Sequence, residues 1–296
     1  MNLRAGLAAV FLALAVPAPA QTSFAEQRAL WNQPIEPFRI LGNVYYVGTA
    51  HIGAYLVTDG AGHVLIDGGM EESAPQIAEN IRRLGFRVED VRYLLINHAH
   101  WDHAGGLAEL KRLTNASLVA SAADSADLEH GANADRDDLA GFAAVGVDRH
   151  IEDGDQLRIG AVELTAHLTP GHTRGCTTWT MRTAEGERSF EIMFACSLTV
   201  AGRRLVGPDR YPEAARDFAA TFAKLRTMPA DVFLSFHENQ FDFEEARRRR
   251  LAGDVLAFVD PTQARRRVDA AEAAFRAEWA RQRGAAAAPA AAAPTP

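Results

Sequence analysis

Within six residues, His98-Ala99-His100-Trp101-Asp102-His103, the chain sets four side chains that can each offer a lone pair to a metal ion. Imidazole nitrogens and carboxylate oxygens together suit zinc, which is content with four ligands and keeps a position open when it is catalytic. Neighbouring residues diverge in direction, so one ion cannot use all four donors. Asp102 and His103 are expected to turn toward a different point from His98 and His100, which implies two adjacent metals. Two further histidines follow strand-like runs: His172 in Leu168-Thr169-Pro170-Gly171-His172-Thr173, and His237 after 231–236. His172 is the residue suited to complete a three-histidine site with His98 and His100. His237 would complete a second site with Asp102 and His103. His51, His63, His130, His150 and His167 read as structural or surface residues, His51 being the hardest of these to dismiss because it lies just before Gly53.

The elements that must carry these donors can be read from the spacing of apolar residues. Residues 91–97 form an apolar run that ends at the cluster, so the ligands project from the carboxyl end of a buried strand, where open α/β sheets gather ligands. Upstream, 43–48, 54–58 and 63–67 alternate with Gly-rich breaks and predict a β-meander. Ser73 can cap a helix with Ile77, Ile81 and Leu84 on one face and Gly85 at its end. Segment 64–67, that helix and the 91–97 strand make a βαβ unit with a shared carboxyl edge, which should bring Asp67 beside the histidines. Gly105-Gly106 lets the backbone turn closely past the metals, and Leu107, Leu110 and Leu113 begin another helix.

In the second half, strands are predicted at 162–167, 176–181, 189–194 and 231–236. A helix with Phe218, Phe222 and Leu225 on one face precedes the last of these. A terminal helix over 262–281 aligns Val268, Ala271, Phe275 and Trp279. The expected architecture is α/β (α+β), a four-layer αββα sandwich of two mixed sheets flanked by helices. The acidic segment 121–141 is either a loop bordering the site or a solvated helix, and Arg247-Arg248-Arg249-Arg250 reads as a solvated helix face.

Composition bounds the partners. A formal charge of −7 and a pI near 5.8 argue against a nucleic-acid groove, which needs a basic face. Residues 1–20 have a basic start, an apolar core and Ala18-Pro19-Ala20, the pattern of a cleaved secretory signal peptide, and no later segment approaches the roughly 20 apolar residues of a membrane helix. The expected organisation is a signal peptide at 1–20, one domain at 21–283 and a disordered Ala/Pro tail at 284–296. The mature protein is then exported, free of the membrane, with a monomer as the default assembly. Export places Cys176 and Cys196 in an oxidising compartment. Either they pair or they stay as two buried thiols, and the even count favours a disulfide.

Taken together, H-x-H-x-D-H at 98–103, Pro-Gly-His-Thr at 170–173 and the strand-terminal His237 resemble the metallo-β-lactamase superfamily, from about residue 43 to the C-terminal helix. The resemblance implies the αββα fold, two zinc ions per chain and a bridging hydroxide. Glyoxalase II and the lactone hydrolases share this signature, but carry a bridging Asp where this chain has Phe194-Ala195-Cys196-Ser197-Leu198-Thr199. Ser197 at that place, with His98 and His103 at the variable ligand positions, is similar to subclass B3. That likeness implies a periplasmic enzyme of antibiotic resistance that hydrolyses penicillins, cephalosporins and carbapenems through the zinc hydroxide. The zinc on His98, His100 and His172 would polarise the carbonyl, that on Asp102, His103 and His237 would stabilise the leaving nitrogen, and Asp102 would orient the nucleophile. The lysines, Lys111 and Lys224, do not stand where the first subclass keeps its carboxylate-binding Lys. Ser197 and Thr199 are therefore expected to bind the substrate carboxylate, with Arg203 either assisting or standing as a solvated turn residue. The alternatives are another hydrolase of the same fold, such as a lactonase or glyoxalase II-like thioesterase, and a metal-binding protein without activity.

Overall fold

The structure, a computed structural model, describes residues 23–287. It begins with helix α1 (Phe24–Trp31), which the sequence reading did not anticipate, followed by strands β1 (Phe38–Leu41), β2 (Val44–Tyr46), β3 (Tyr55–Asp59) and β4 (Gly62–Ile66). Then come α2 (Ala74–Arg83), β5 (Val91–Leu95), the single turn α3 (Trp101–Ala104), α4 (Leu107–Thr114), β6 (Ser117–Ser121), α5 (Ala122–His130) and β7 (Arg149–Ile151). The second half runs β8 (Gln156–Ile159), β9 (Val162–Leu168), β10 (Thr177–Glu185), β11 (Arg188–Phe194), α6 (Ala214–Leu225), β12 (Val232–Leu234), α7 (Phe243–Leu251) and α8 (Gln263–Ala287).

These strands make two mixed sheets flanked by helices. The first has the order β1-β2-β3-β4-β5-β6-β7, antiparallel up to β4 and parallel beyond it. The second has the order β12-β11-β10-β9-β8, with β11 and β12 parallel. Side chains alternate across a strand, and the alternation divides the core. Val64, Ile66, Leu95 and Val119 face the second sheet and pack in one cluster with Leu164, Trp179 and Ile192. Their neighbours Leu65, Leu94 and Leu118 face outward onto Ile77 and Ile81 of α2 and Leu107 and Leu110 of α4. On the far side, Phe218 and Phe222 of α6 meet Phe275 of α8 with ring centroids 5.3 and 5.6 Å apart.

Strand direction positions the site. The parallel strands β4, β5 and β6 end at one edge of the first sheet. Strands β9 and β11 are both antiparallel to β10, so with β12 they end at one edge of the second. Every candidate ligand follows the end of β5, β9 or β12.

Several boundaries differ from the sequence reading. The terminal helix continues to Ala287, past the position 284 expected to begin a disordered tail; the rest of that tail and the leader 1–20 lie outside the described residues. The acidic segment 121–141 is both of its alternatives in turn, helix α5 and then a loop. No helix among the described residues is long and apolar enough to cross a membrane.

Candidate metal centre

The segment between β5 and α3 carries His98 and His100, and the first turn of α3 carries Asp102 and His103, so a change from extended to helical backbone separates the two pairs of donors. His98 Nε2 lies 3.1 Å from His100 Nδ1, which lies 3.2 Å from His172 Nε2. His103 Nε2 lies 3.1 Å from His237 Nε2, and Asp102 Oδ2 stands 3.5 and 3.4 Å from those two nitrogens. The six donors thus fall into two sets of three, and no carboxylate belongs to both. Metal–nitrogen bonds of about 2.0–2.1 Å in a tetrahedron separate the donors by about 3.3 Å. Both sets fit a tetrahedral ion with one corner left over.

The outer ring atoms decide which nitrogen holds the proton. His172 Nδ1 donates to the carbonyl of Thr199 at 2.7 Å, His103 Nδ1 donates to Asp67 Oδ2 at 2.9 Å, and His98 Nδ1 donates to Asn97 Oδ1. In each case the lone pair is left on Nε2, facing the centre. His100 is reversed: Nδ1 faces in and its buried Nε2 has no hydrogen-bond partner among the described residues. Asp67 directly follows β4 and lies in the left-handed region, φ 68°, a conformation that costs a non-glycine residue energy and persists where the surroundings hold it. Its carboxylate also accepts from the Asn97 backbone at 2.8 Å and from the Asn97 side chain, so one residue fixes both His103 and the start of the ligand segment. A Cβ on Gly106 would collide with the Gly68 carbonyl, so only glycine lets the turn between α3 and α4 pass this close to the chain leaving β4.

Burial, and then crowding by the other imidazoles, holds His98 and His100 well below the usual histidine range, and burial with the nearby Arg203 guanidinium brings His172 down to about 3. Three imidazoles kept neutral at one point are in the protonation state that binding a metal requires. Burial works against ionised Asp102, but His103 and His237 outweigh it and keep the carboxylate well below its ordinary range. Burial also works against a charged His103, and there Asp102 and Asp67 prevail and raise it.

The donors open into a cavity of about 420 Å³ whose walls include Ser197, Thr199, Trp31, Trp101, Arg136 and Gln240. The hydroxyls of Ser197 and Thr199 lie 3.0 Å apart, and Gln240 Nε2 donates to Ser197 Oγ at 3.4 Å. Trp31 from α1 stacks on Trp101, 5.8 Å between centroids, and sets its edge on His237 at 5.2 Å. Sequence reasoning missed Trp31, Trp101, Arg136 and Gln240 as wall residues. A signal for α1 was available in Ser23-Phe24-Ala25-Glu26, a capping box present in the structure.

Arg203 corrects both of its sequence readings. It is 1% exposed, bonds the carbonyl of His172 through Nε at 3.2 Å and Nη2 at 2.9 Å, and pairs with Asp135 at 2.9 Å. It is neither a solvated turn residue nor open to a substrate; it secures the turn that presents His172. Cys176 and Cys196 are joined in a disulfide with Cα atoms 5.9 Å apart, and Cys196 Sγ lies 3.7 Å from His98 Nδ1.

A family model described as the metallo-beta-lactamase superfamily matches residues 50–183. Among curated proteins the chain is similar to a hydroxyacylglutathione hydrolase of Rhodopseudomonas palustris (strain BisB5), 33% identical over 119 residues, 40% of this chain; the match spans only 39% of that relative's length. Among solved structures it is similar to the Rm3 metallo-beta-lactamase, 39% identical with a TM-score of 0.84 over 87% of this chain and 98% of that one. It is also similar to BJP-1, a subclass B3 metallo-beta-lactamase of Bradyrhizobium japonicum, 39% identical with a TM-score of 0.82 over 86% of this chain and 98% of that one. With the fold, the two donor sets and these end-to-end likenesses in agreement, the chain belongs to the metallo-β-lactamase superfamily and resembles its subclass B3 members.

Proposed function

We propose that the protein is an exported dizinc β-lactamase that hydrolyses the ring amide of penicillins, cephalosporins and carbapenems. The observation that carries this reading is the division of six donors into a three-histidine set and an Asp-His-His set with no carboxylate common to both. His98, His100 and His172 would hold one zinc, and Asp102, His103 and His237 the other. Zinc held by such donors supplies a water that ionises near neutral pH and a Lewis acid for a carbonyl oxygen.

The chain's own residues do the rest. Asp102 remains ionised and is the carboxylate of the donor sets that faces the cavity, so it can accept a hydrogen bond from the attacking water and orient it. Ser197 Oγ and Thr199 Oγ1 face the same space and can donate to a substrate carboxylate, while Trp31 and Trp101 shield one side from water. Arg203 holds the main chain of His172 through its carbonyl, and the Thr199 carbonyl holds its ring. No protein nucleophile is required.

The similarity to a hydroxyacylglutathione hydrolase favours a second reading, a thioesterase or lactonase using the same donors. Nitrocefin and imipenem assays with and without a chelator, run beside a glutathione thioester and an acyl-homoserine lactone, separate the two. β-Lactam turnover abolished by the chelator and indifferent to serine-acylating inhibitors is the expected result. Turnover of the thioester or lactone alone would overturn the β-lactamase reading.

A further inference from the structure

Among the described residues Arg136 is the one lysine or arginine that lines the metal cavity, and no part of the proposed chemistry uses it. It sits on the loop after α5, is 9% exposed, and pairs edge-on with Asp138: Nε to Oδ1 at 2.7 Å and Nη2 to Oδ2 at 2.8 Å. The side chain of Asp138 is 62% exposed, and it receives no other side-chain hydrogen bond among the described residues. Nη2 would lie 3.9 Å from a Cβ on Gly202, so the guanidinium stands against the turn that follows Ser197 and Thr199 in the chain, and Arg136, Ser197 and Thr199 line the same cavity.

We propose that Arg136 is the carboxylate receptor of this site, with Asp138 occupying its paired donors until a substrate carboxylate takes its place. The inference rests on the β-lactamase reading and deepens it. A guanidinium fork binds a planar carboxylate through two parallel N–H···O bonds, and any carboxylate competes for the same geometry. Asp138 belongs to the same chemical class as the ligand and, being exposed, regains its hydration when it swings out. Arg136 is largely buried and cannot. Exchange therefore gives up the pair with an exposed carboxylate and replaces it with a charge-assisted pair inside the cavity, where the two hydroxyls complete the cradle. The arrangement predicts a preference for anionic substrates and a restraint on affinity exerted by Asp138 itself.

The test is calorimetric titration of hydrolysed benzylpenicillin into the zinc-loaded wild type, Arg136→Gln, Arg136→Lys and Asp138→Asn proteins, with KM for intact benzylpenicillin measured alongside. Arg136→Gln should weaken binding and raise KM about tenfold, with zinc content unchanged. Arg136→Lys should recover part of the loss, and Asp138→Asn should tighten binding about threefold. Unchanged affinity in Arg136→Gln, or weaker binding in Asp138→Asn, would overturn the proposal. Because the titration needs no turnover, a wild type that binds the product in this Arg136-dependent way yet hydrolyses no β-lactam would overturn the functional reading and leave Arg136 as the receptor.

Discussion

At the scale of single residues, the two donor sets should be separable by mutation. His172→Ala removes a donor from the three-histidine set and leaves Asp102, His103 and His237 intact. Metal analysis of that variant is therefore expected to return about one zinc per chain against two in the wild type. Loss of both metals together would mean that the sets do not bind independently. Ser197 and Thr199 contribute differently, because their hydroxyls touch each other, and that of Ser197 also accepts from Gln240, but neither bonds a ligand side chain. Neutral donors to a charged group contribute on the order of 1.5 to 3 kcal/mol, so the Ser197→Ala/Thr199→Ala variant should raise KM by roughly tenfold or more with both metals retained. Wild-type KM across substrates would remove these hydroxyls from carboxylate recognition. Donor types and spacing made the cluster at 98–103 readable, since few other roles call for four ligand-type residues in six. Arg203 was not readable, because its partner is the main-chain carbonyl of His172, and no side-chain pattern encodes a main-chain partner.

At the scale of elements, the ligand segments are held by a residue that binds no metal. Asp124, in the first turn of α5, accepts from the backbone of Ala99 at 3.1 Å, between the two histidines of the cluster. It also accepts from the backbone of Gly175 at 3.0 Å and from the Thr173 hydroxyl at 3.3 Å, on the segment that carries His172. One carboxylate therefore ties the end of β5 to the turn after β9. Burial and neighbouring Asp127 push it up from 3.8 to about 7 despite those donors. A carboxyl raised on folding keeps its proton in the native state while the unfolded chain has already lost it. Its stabilising contribution is thus complete below the unfolded value and is lost as pH rises through about 7. Urea midpoints at about pH 5 and about pH 8 should differ more in the wild type than in Asp124→Ala, which should itself cost about 2 to 4 kcal/mol by leaving buried N–H groups unpaired. An identical pH dependence in the two proteins would contradict this account. The long strands and amphipathic helices were legible from period alone. Strands β1, β6, β7 and β8 were not, being three to five residues long, too short for alternation to stand out. Helix α1 escaped for another reason: none of its residues is fully buried, and aromatic contacts across the cavity hold it in place of a core-facing stripe.

At the scale of the whole molecule, two parallel strand edges meet at one cleft, and a covalent link beneath it closes the second sheet. Cys176 precedes β10 and Cys196 follows β11, so the bond joins the open ends of a hairpin whose strands already pair from Trp179 with Phe194 to Glu185 with Arg188. The sheet holds those ends together in the folded protein with or without the bond. The main effect of the disulfide is then to restrict the unfolded chain, and for a loop of 20 residues this amounts to roughly 3 kcal/mol. In a domain of this size each kcal/mol moves the melting temperature by about 2–4 °C. The Cys176→Ser/Cys196→Ser variant should therefore melt roughly 6–12 °C below the wild type at equal zinc. The position of the bond adds a second effect. Cys196 Sγ packs on the Asn97 carbonyl at 3.2 Å, and Asn97 in turn holds the outer nitrogen of His98, so loosening the sulfur pair should weaken metal binding as well as the fold. Chelator competition at a temperature where both proteins are folded reads that effect free of the melting difference. A variant that melts with the wild type and releases zinc at the same chelator concentration would show that the hairpin and the His98 segment are held by the sheet alone.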